Sequence, residues 1–106
     1  MKEEKLSEKV YAALRKIPKG KVTTYKILGD YVGCRGYRAI GRIVGANPDA
    51  LKTPCHRVVA SDGGISGYAF GVDRKLYLLS QEGLAFKNSK KGPTIKNFER
   101  CIYHFK

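Results

Sequence analysis

The residues with the clearest chemical potential are a cysteine and a histidine that follow a proline, in the segment Pro54-Cys55-His56-Arg57. The thiolate of cysteine is a nucleophile, and a nearby imidazole can accept the proton of the thiol. Neighbours on a regular strand point to opposite faces, so His56 would reach Cys55 only through a bend or a bridging water. The alternative interpretation is that Cys55 is a small buried hydrophobic residue, as many cysteines are.

Glu82 is the candidate to orient His56. It lies at the C-terminal end of a predicted helix, where the helix dipole disfavours a carboxylate by roughly 0.3–1 kcal/mol. A residue placed against a local rule often has another role. The alternative is an ordinary exposed glutamate.

The three cysteines, Cys34, Cys55 and Cys101, are odd in number and contain no C-x-x-C pair, which argues against a disulfide framework. Cys55 and His56 together with Cys101 and His104 supply two cysteines and two histidines. Their spacing differs from standard zinc patterns, and half of the set lies in the C-terminal tail. We therefore expect no metal and no cofactor.

Apolar periodicity predicts the elements that must position these groups. Helices are expected over residues 3–17, over a short segment capped by Thr23 or Thr24, over about 37–46, and over 72–82, with a turn at 33–36. Residues 55–60 are expected to be extended and 61–64 to form a turn. The residues expected to face the core are Leu6, Val10, Ala13, Leu14, Ile17, Ile27, Leu28, Tyr31, Val32, Ala39, Ile40, Ile43, Val44, Val72, Leu76 and Leu79.

The sequence of the C-terminal tail predicts a flexible stretch followed by a helix. A basic, flexible stretch over 87–92 precedes an amphipathic helix that begins at Pro93. Its apolar face would be formed by Ile95, Phe98, Cys101 or Ile102, and Phe105. We expect this helix to pack on the core.

A short helix, a glycine-containing turn and a second helix outline a helix-turn-helix. The second helix has an exposed face formed by Arg38, Gly41, Arg42 and Gly45, which is flat and basic and could approach a DNA groove closely. The alternative is that the two glycines permit close helix packing inside the protein. A glycine costs about 1 kcal/mol at a helical position, and the adjacent arginines favour the DNA interpretation.

The 106 residues suffice for one domain, and 42% apolar with 28% charged residues is typical of a globular chain. The net charge of +12 indicates a polyanionic partner. The positive charge lies at the two ends, and residues 47–83 are neutral overall. With no long apolar run and no signal peptide in the sequence, we expect no membrane partner and a cytoplasmic protein, or a nuclear one in a eukaryote.

Several blocks of the chain, in order and spacing, resemble the O6-alkylguanine-DNA alkyltransferases over about residues 5–83. The Pro-Cys-His-Arg-Val-Val segment resembles the active-site motif of that family. The other matching blocks are Val22-Thr23-Thr24-Tyr25, Arg38-Ala39-Ile40-Gly41, Asn47-Pro48, Gly67-Tyr68 with Gly71, and Leu78-Leu79 through Glu82-Gly83.

The resemblance implies a single-use DNA repair protein. Cys55 would accept the alkyl group, His56 would deprotonate Cys55 through a water, Glu82 would polarise His56, and Asn47 would brace the active-site loop. Arg38 would fill the gap left by a flipped-out base, and Tyr25 would press on the target phosphate. The implied DNA-binding residues are Tyr25, Arg38, Thr24, Arg42 and Arg35, and the implied guanine-pocket residues are Tyr68, Pro54, Val58, Ala69 and Phe70.

The resemblance also implies a mostly α fold with a short β-hairpin, a winged-helix-like helix-turn-helix DNA-binding domain. Residues 1–83 would form the catalytic and DNA-binding domain and residues 84–106 a basic extension. The partner would be double-stranded DNA containing O6-alkylguanine, bound by a monomer. A repair-protein partner or a separate N-terminal domain is a further expectation, because family members commonly carry such a domain.

Two other functions compete with alkyl transfer. An alkyltransferase-like damage sensor would bind and flip the lesion and hand it to other repair machinery; that subfamily usually lacks the cysteine, which favours transfer here, whereas the small size favours the sensor. A plain helix-turn-helix regulator leaves the active-site segment unexplained. Phe70, where many relatives carry glycine or tryptophan, predicts a narrow pocket.

Overall fold

The computed structural model describes residues 3–46, 53–65, 71–90 and 92–105. Within these ranges, no helix is both long enough and apolar enough to cross a membrane. The elements in chain order are α1 (Glu3–Leu14), β1 (Thr23–Thr24), α2 (Tyr25–Val32), α3 (Tyr37–Gly45), a 3₁₀ turn (Cys55–Arg57), β2 (Val58–Val59), α4 (Val72–Gln81), β3 (Phe86–Ser89), β4 (Gly92–Ile95) and α5 (Phe98–Cys101). The prediction of a mostly α fold with a short β-hairpin is confirmed.

Helix α1 packs against the helix-turn-helix. Its apolar stripe repeats every three to four residues, which places the whole stripe on one buried face. The stripe joins side chains from α2, α3 and the active-site turn in one cluster. The predicted core residues Leu6, Val10, Ala13 and Leu14 of α1 are buried, and so is Ile17. The predicted helix end at residue 17 is wrong, because α1 ends at Leu14 and a turn carries Ile17 into the core.

Helices α2 and α3 begin and end where the sequence predicts. The Thr24 hydroxyl accepts a hydrogen bond from the Ile27 amide at 3.0 Å and caps α2. Gly33 ends α2 in the left-handed conformation (φ 80°), which glycine adopts without strain. Tyr31 was expected in the core, but it lies at the edge of the apolar stripe and is 45% exposed.

Helix α4 turns a charged residue inward. Lys75 is buried, and it shares a helix face with Leu79 and Glu82 because these positions are spaced by four and three residues. The prediction that Val72 faces the core is wrong. Val72 lies in the first turn of α4, beyond the apolar cluster that Leu79 joins, and is 38% exposed.

The prediction of one long helix in the tail is wrong, and the basic stretch expected before it contributes residues to two strands. Strands β3 and β4 form an antiparallel hairpin, with Phe86 paired to Ile95 and Ser89 paired to Gly92. Asn97 then adopts a left-handed conformation (φ 54°), which prevents one helix from joining β4 to the short α5. The expectation that the tail packs on the core is confirmed, because Ile95 and Phe105 are buried.

A small parallel sheet holds the helix-turn-helix beside the active-site turn. Strand β1 pairs with β2 in the register Thr23 to Val58 and Thr24 to Val59. Strand β1 leads directly into α2, and β2 follows directly on the 3₁₀ turn. The sheet therefore fixes Tyr25, the first residue of α2, relative to Cys55.

Candidate active site and DNA-binding face

The candidate nucleophile lies in a tight turn and not in a strand. Cys55, His56 and Arg57 form a 3₁₀ turn, closed by a 3.1 Å hydrogen bond from the Arg57 amide to the Pro54 carbonyl. Cys55 is 3% exposed and His56 is 6% exposed. Proline before the cysteine fixes the entry of the chain, and the turn replaces the alternation of a strand. The expectation of extended structure at residues 55–57 is therefore wrong. Cys55 and His56 are not forced to opposite faces, as they would be on a regular strand.

Glu82 binds both His56 and Arg57, although it is separated from them by a whole helix. Its Oε2 lies 3.0 Å from His56 Nε2. Arg57 donates to both carboxylate oxygens, from Nε at 2.9 and 3.1 Å and from Nη2 at 2.5 Å. Arg57 Nη1 also donates to the Ile17 carbonyl at 2.8 Å. The predicted contact between Glu82 and His56 is confirmed, and Arg57 is a holding residue that the sequence did not suggest.

These contacts set the charge of each group. Burial lowers the pKa of His56, and the attraction of Glu82 only partly opposes this. Burial disfavours the Glu82 carboxylate, but the hydrogen bonds from Arg57 and His56 outweigh it and hold the pKa of Glu82 below its usual range. His56 is therefore a neutral base beside an ionised carboxylate at neutral pH.

One ring nitrogen of His56 is left for chemistry. Nε2 faces Glu82, whereas Nδ1 is buried and has no hydrogen-bond partner among the described residues. Buried polar atoms are nearly always hydrogen-bonded, so an unpartnered one invites a functional explanation. With Nε2 protonated and bound to Glu82, the lone pair on Nδ1 can accept a proton.

Lys75 is a site residue that sequence reasoning missed. It is 1% exposed, and its Nζ donates a 2.6 Å hydrogen bond to the Val58 carbonyl, one residue beyond the active-site turn. Burial lowers the pKa of Lys75 to about 8, and the nearby Cys55 partly opposes this shift. Its spacing from Leu79 and Glu82 on one helix face was the available signal.

The predicted DNA-binding residues lie on the helix-turn-helix. Tyr25 begins α2 and is partly buried, and Thr24 caps the helix. The arginines Arg35, Arg38 and Arg42 lie exposed in the turn and along α3. Burial, and secondly Cys55, raises the pKa of Tyr25, so its phenol stays protonated and can donate a hydrogen bond at neutral pH.

The glycines of α3 face open space. A Cβ added at Gly41 or Gly45 would meet no described atom within 4 Å. Within the described residues, therefore, these glycines do not serve the close helix packing of the alternative interpretation. Gly29 in α2 differs, because a Cβ there would lie 2.7 Å from the Cys34 carbonyl and 3.0 Å from the Tyr37 ring. Close packing in the helix-turn-helix depends on Gly29, and the face of α3 stays flat.

The guanine pocket is only partly described. Pro54 and Val58 are buried beside the active-site turn. Tyr68, Ala69, Phe70 and Asn47 lie outside the described residues. Among the residues that the structure describes, no three histidine, cysteine or acidic side chains gather as a metal site would require.

Comparison with known proteins identifies the family. Residues 5–84 match the family described as "6-O-methylguanine DNA methyltransferase, DNA binding domain". The chain belongs to this family. The methylated-DNA–protein-cysteine methyltransferase of Candida albicans is 47% identical over 79 residues, which cover 74% of this chain and 45% of that protein. The chain spans about half the length of the first curated relatives that it matches, from 42% to 47%.

The similar solved structures fall into two groups, which match different shares of this chain. Mycobacterium tuberculosis OGT in complex with DNA is 39% identical with a TM-score of 0.69, over 72% of this chain and 48% of that chain. S. pombe Atl1, in complex with damaged DNA containing O6-carboxymethylguanine, is 29% identical with a TM-score of 0.85, over 97% of this chain and 98% of that chain. The family is one of DNA alkyltransferases, and both relatives were solved with DNA.

Proposed function

We propose that this protein binds double-stranded DNA containing O6-alkylguanine, extrudes the damaged base and transfers its alkyl group to Cys55. The observation that carries the proposal is the buried turn in which Cys55 and His56 are neighbours, with Glu82 bound to Nε2 of the imidazole and Arg57 bound to Glu82. This arrangement supplies a nucleophile, a base and an orienting carboxylate, the parts that an activated thiol requires.

The reaction balances without a cofactor. The S–H bond of Cys55 breaks, and its proton passes through a water to Nδ1 of His56. The thiolate attacks the alkyl carbon in line with the C–O6 bond, so that an S–C bond forms as the C–O6 bond breaks. The electron pair of that bond stays with the guanine, which then takes up a proton. The thioether is stable, so each molecule reacts once.

Lys75 supports the charged intermediate of this scheme. Its buried ammonium group donates to the carbonyl of Val58, the residue directly after the active-site turn, so a positive charge lies beside that turn. A positive charge in a low-dielectric site stabilises a nearby thiolate more strongly than the same charge would in water. We assign Lys75 an electrostatic role in favour of the Cys55 anion.

The helix-turn-helix supplies access to the base. The O6 atom of guanine is out of reach of a protein thiol while the base is stacked, so the base must be flipped. We assign Arg38 to the gap in the duplex, Tyr25 to the target phosphate, and Arg35, Arg42 and the Thr24 segment to the backbone. Asn47 and the pocket residues Tyr68, Ala69 and Phe70 keep the roles that the family resemblance implies.

A second candidate is a damage sensor that binds O6-alkylguanine without transfer. The observation that favours it is the structural match to Atl1 over 97% of this chain, whereas the structure of Mycobacterium tuberculosis OGT matches 72%. The cysteine at position 55 and its contacts favour transfer, and we rank the sensor second for that reason.

The test is the intact mass of the protein after incubation with a duplex containing one O6-methylguanine. We expect a gain equal to one CH2 group and restoration of an unmodified guanine. An unmodified control duplex should leave the mass unchanged. No gain, with selective binding of the lesion duplex, would overturn transfer and establish the sensor.

A further inference from the structure

The C-terminal tail binds to the segment that leads into the helix-turn-helix. The Val22 amide donates to the Cys101 carbonyl at 2.8 Å, and the Tyr103 amide donates to the Val22 carbonyl at 2.7 Å. Val22 and Ile102 thereby form a parallel bridge at the edge of the β1–β2 sheet. The tail extends the sheet that joins α2 to the active-site turn.

Phe105 anchors the end of this tail in the core. Its side chain is 9% exposed and belongs to the cluster formed by α1, α2 and α3. Its ring stacks on Tyr31 with centroids 4.6 Å apart and an interplanar angle of 13°. The edge of Tyr103 meets the same ring at 5.0 Å. Phe105 also has a positive φ of 40°, an unfavourable conformation for a bulky residue, which the packing must hold in place.

Tyr31 is the link between Phe105 and the DNA-binding face. It lies in the last turn of α2, two residues before the Gly33 cap that begins the turn toward α3. The Lys16 ammonium group donates to the Tyr31 hydroxyl at 2.8 Å, so the turn that follows α1 holds one end of the side chain while Phe105 covers its ring. These two contacts fix the Tyr31 side chain at the end of α2, immediately before the turn that carries Arg35.

We propose that Phe105 is a positioning residue for DNA binding, which acts through its stack on Tyr31 to hold α2 and the following turn in the geometry that fits the duplex. The inference rests on the part of the proposed function in which the helix-turn-helix binds DNA. Preorganising a binding surface improves affinity because less order must be gained on binding. Loosening α2 should therefore weaken duplex binding and leave the chemistry of Cys55 unchanged.

The experiment measures the affinity of Phe105→Ala for a labelled undamaged duplex and for the lesion duplex, in a Cys55→Ser background where no transfer can occur. We expect both affinities to fall by about fivefold, the equivalent of roughly 1 kcal/mol. In Phe105→Ala with Cys55 retained, the rate at which a small alkylating reagent modifies Cys55 should stay within about twofold of that of the parent protein. Such a reagent reaches Cys55 without using the helix-turn-helix.

Phe98→Ala is the matched control. Phe98 is another aromatic residue of the tail; it is partly buried and packs in the other apolar cluster, against Gly63. We expect this variant to lose thermal stability and to keep its duplex affinity. Phe105→Tyr retains the ring and should restore binding.

The duplex affinities of single and double variants at positions 31 and 105 give a second test, which separates the effect of the stack from a general loss of stability. If the stack carries the effect, Tyr31→Ala should weaken binding by itself, and adding Phe105→Ala should weaken it little further. Equal loss of affinity in Phe98→Ala and Phe105→Ala, or additive losses at positions 31 and 105, would overturn the inference. A parent protein that binds duplex but shows no lesion preference would count against the proposed function alone.

Discussion

Helices α3 and α4 use charged residues in opposite ways. Arg38 and Arg42 of α3 lie exposed on a face that two glycines leave flat. Lys75 of α4 is buried, and Glu82, at the C-terminal cap of the same helix, is held between His56 and Arg57. Exposed charge suits a polyanion that arrives from solvent, whereas buried charge sets the protonation of its neighbours. Under the proposed function, DNA binding and bond making therefore fall to different helices, and we expect that each can be removed without the other.

The largest expected effect is that of Cys55→Ser. The transfer rate should fall by at least about 10³-fold, because a hydroxyl is a far weaker nucleophile than a thiolate. Affinity for the lesion duplex should stay within about twofold of the wild type. Single-turnover transfer and fluorescence anisotropy give the two numbers. Cys34→Ser, in the helix-turn-helix turn, is the control and should transfer normally; a loss there, or transfer by Cys55→Ser, would contradict the separation.

Glu82→Gln should lower the transfer rate by about 100-fold, the scale of a positioned general base. The pH profile gives a second readout. Transfer needs neutral His56, so the rate falls as the pH drops through the pKa of His56, which lies below its usual 6.5. Glu82 raises that pKa, so the acid limb should move to lower pH in the variant. Asp73→Asn on the same helix is the control, and an unmoved acid limb in Glu82→Gln would exclude the proposed pairing.

Because Lys75 is buried, we expect it to change the pH dependence of the free energy of unfolding at high pH. Burial lowers its pKa from 10.5 to about 8 in the folded protein, so between these values the unfolded chain binds more protons. The free energy of unfolding of the wild type should therefore rise relative to that of Lys75→Met, by about 2 kcal/mol between pH 8 and roughly pH 10. Urea unfolding over this range measures it. The control is Lys87→Met, at an exposed lysine, whose free energy of unfolding should change with pH as that of the wild type does. The same pH dependence in Lys75→Met would show that the buried ammonium group is not the cause.

Arg38→Ala tests the exposed helix. We expect transfer from duplex DNA to slow by about tenfold, because the side chain that stabilises the extruded state is lost. Reaction with the free O6-methylguanine base should not change. The ratio of the two rates is the measurement, and Arg74→Ala, an exposed arginine on α4, is the control. Equal slowing of the reactions with duplex and free base would show that Arg38 acts in the transfer step itself, and would contradict the separation of roles between α3 and α4.

The smallest effect is expected at the glycines. Gly41→Ala should leave stability unchanged or raise it by up to about 1 kcal/mol, because the added Cβ meets open space in a helix. Its duplex affinity should fall by about threefold if the flat face docks on DNA. Gly29→Ala should do the reverse and lower the melting temperature, since its Cβ would meet the Cys34 carbonyl. Thermal unfolding and anisotropy of both variants decide the matter.

Local patterns predicted the helix-turn-helix well, because its caps and glycine turn are determined by neighbours in sequence. Thr24 and Gly33 act where the sequence indicated. The tail was mispredicted, because Ile95, Phe98 and Cys101 are spaced as in a helix, and the pairing of β3 with β4 overrides that spacing. The burial of Lys75 was not predicted, because a lysine in a helical pattern is usually solvated, and its spacing from Leu79 and Glu82 is only a weak signal against that rule.

The proposed acceptor is the buried Cys55 and not a more accessible cysteine. Cys34 and Cys101 are both less buried than Cys55. The most direct test is to digest the protein after reaction with the O6-methylguanine duplex and to locate the methyl group by tandem mass spectrometry. We predict a methyl group on Cys55 alone, at a stoichiometry approaching one per chain. A methyl group on Cys34 or Cys101, with Cys55 unmodified, would contradict the assignment of the active site.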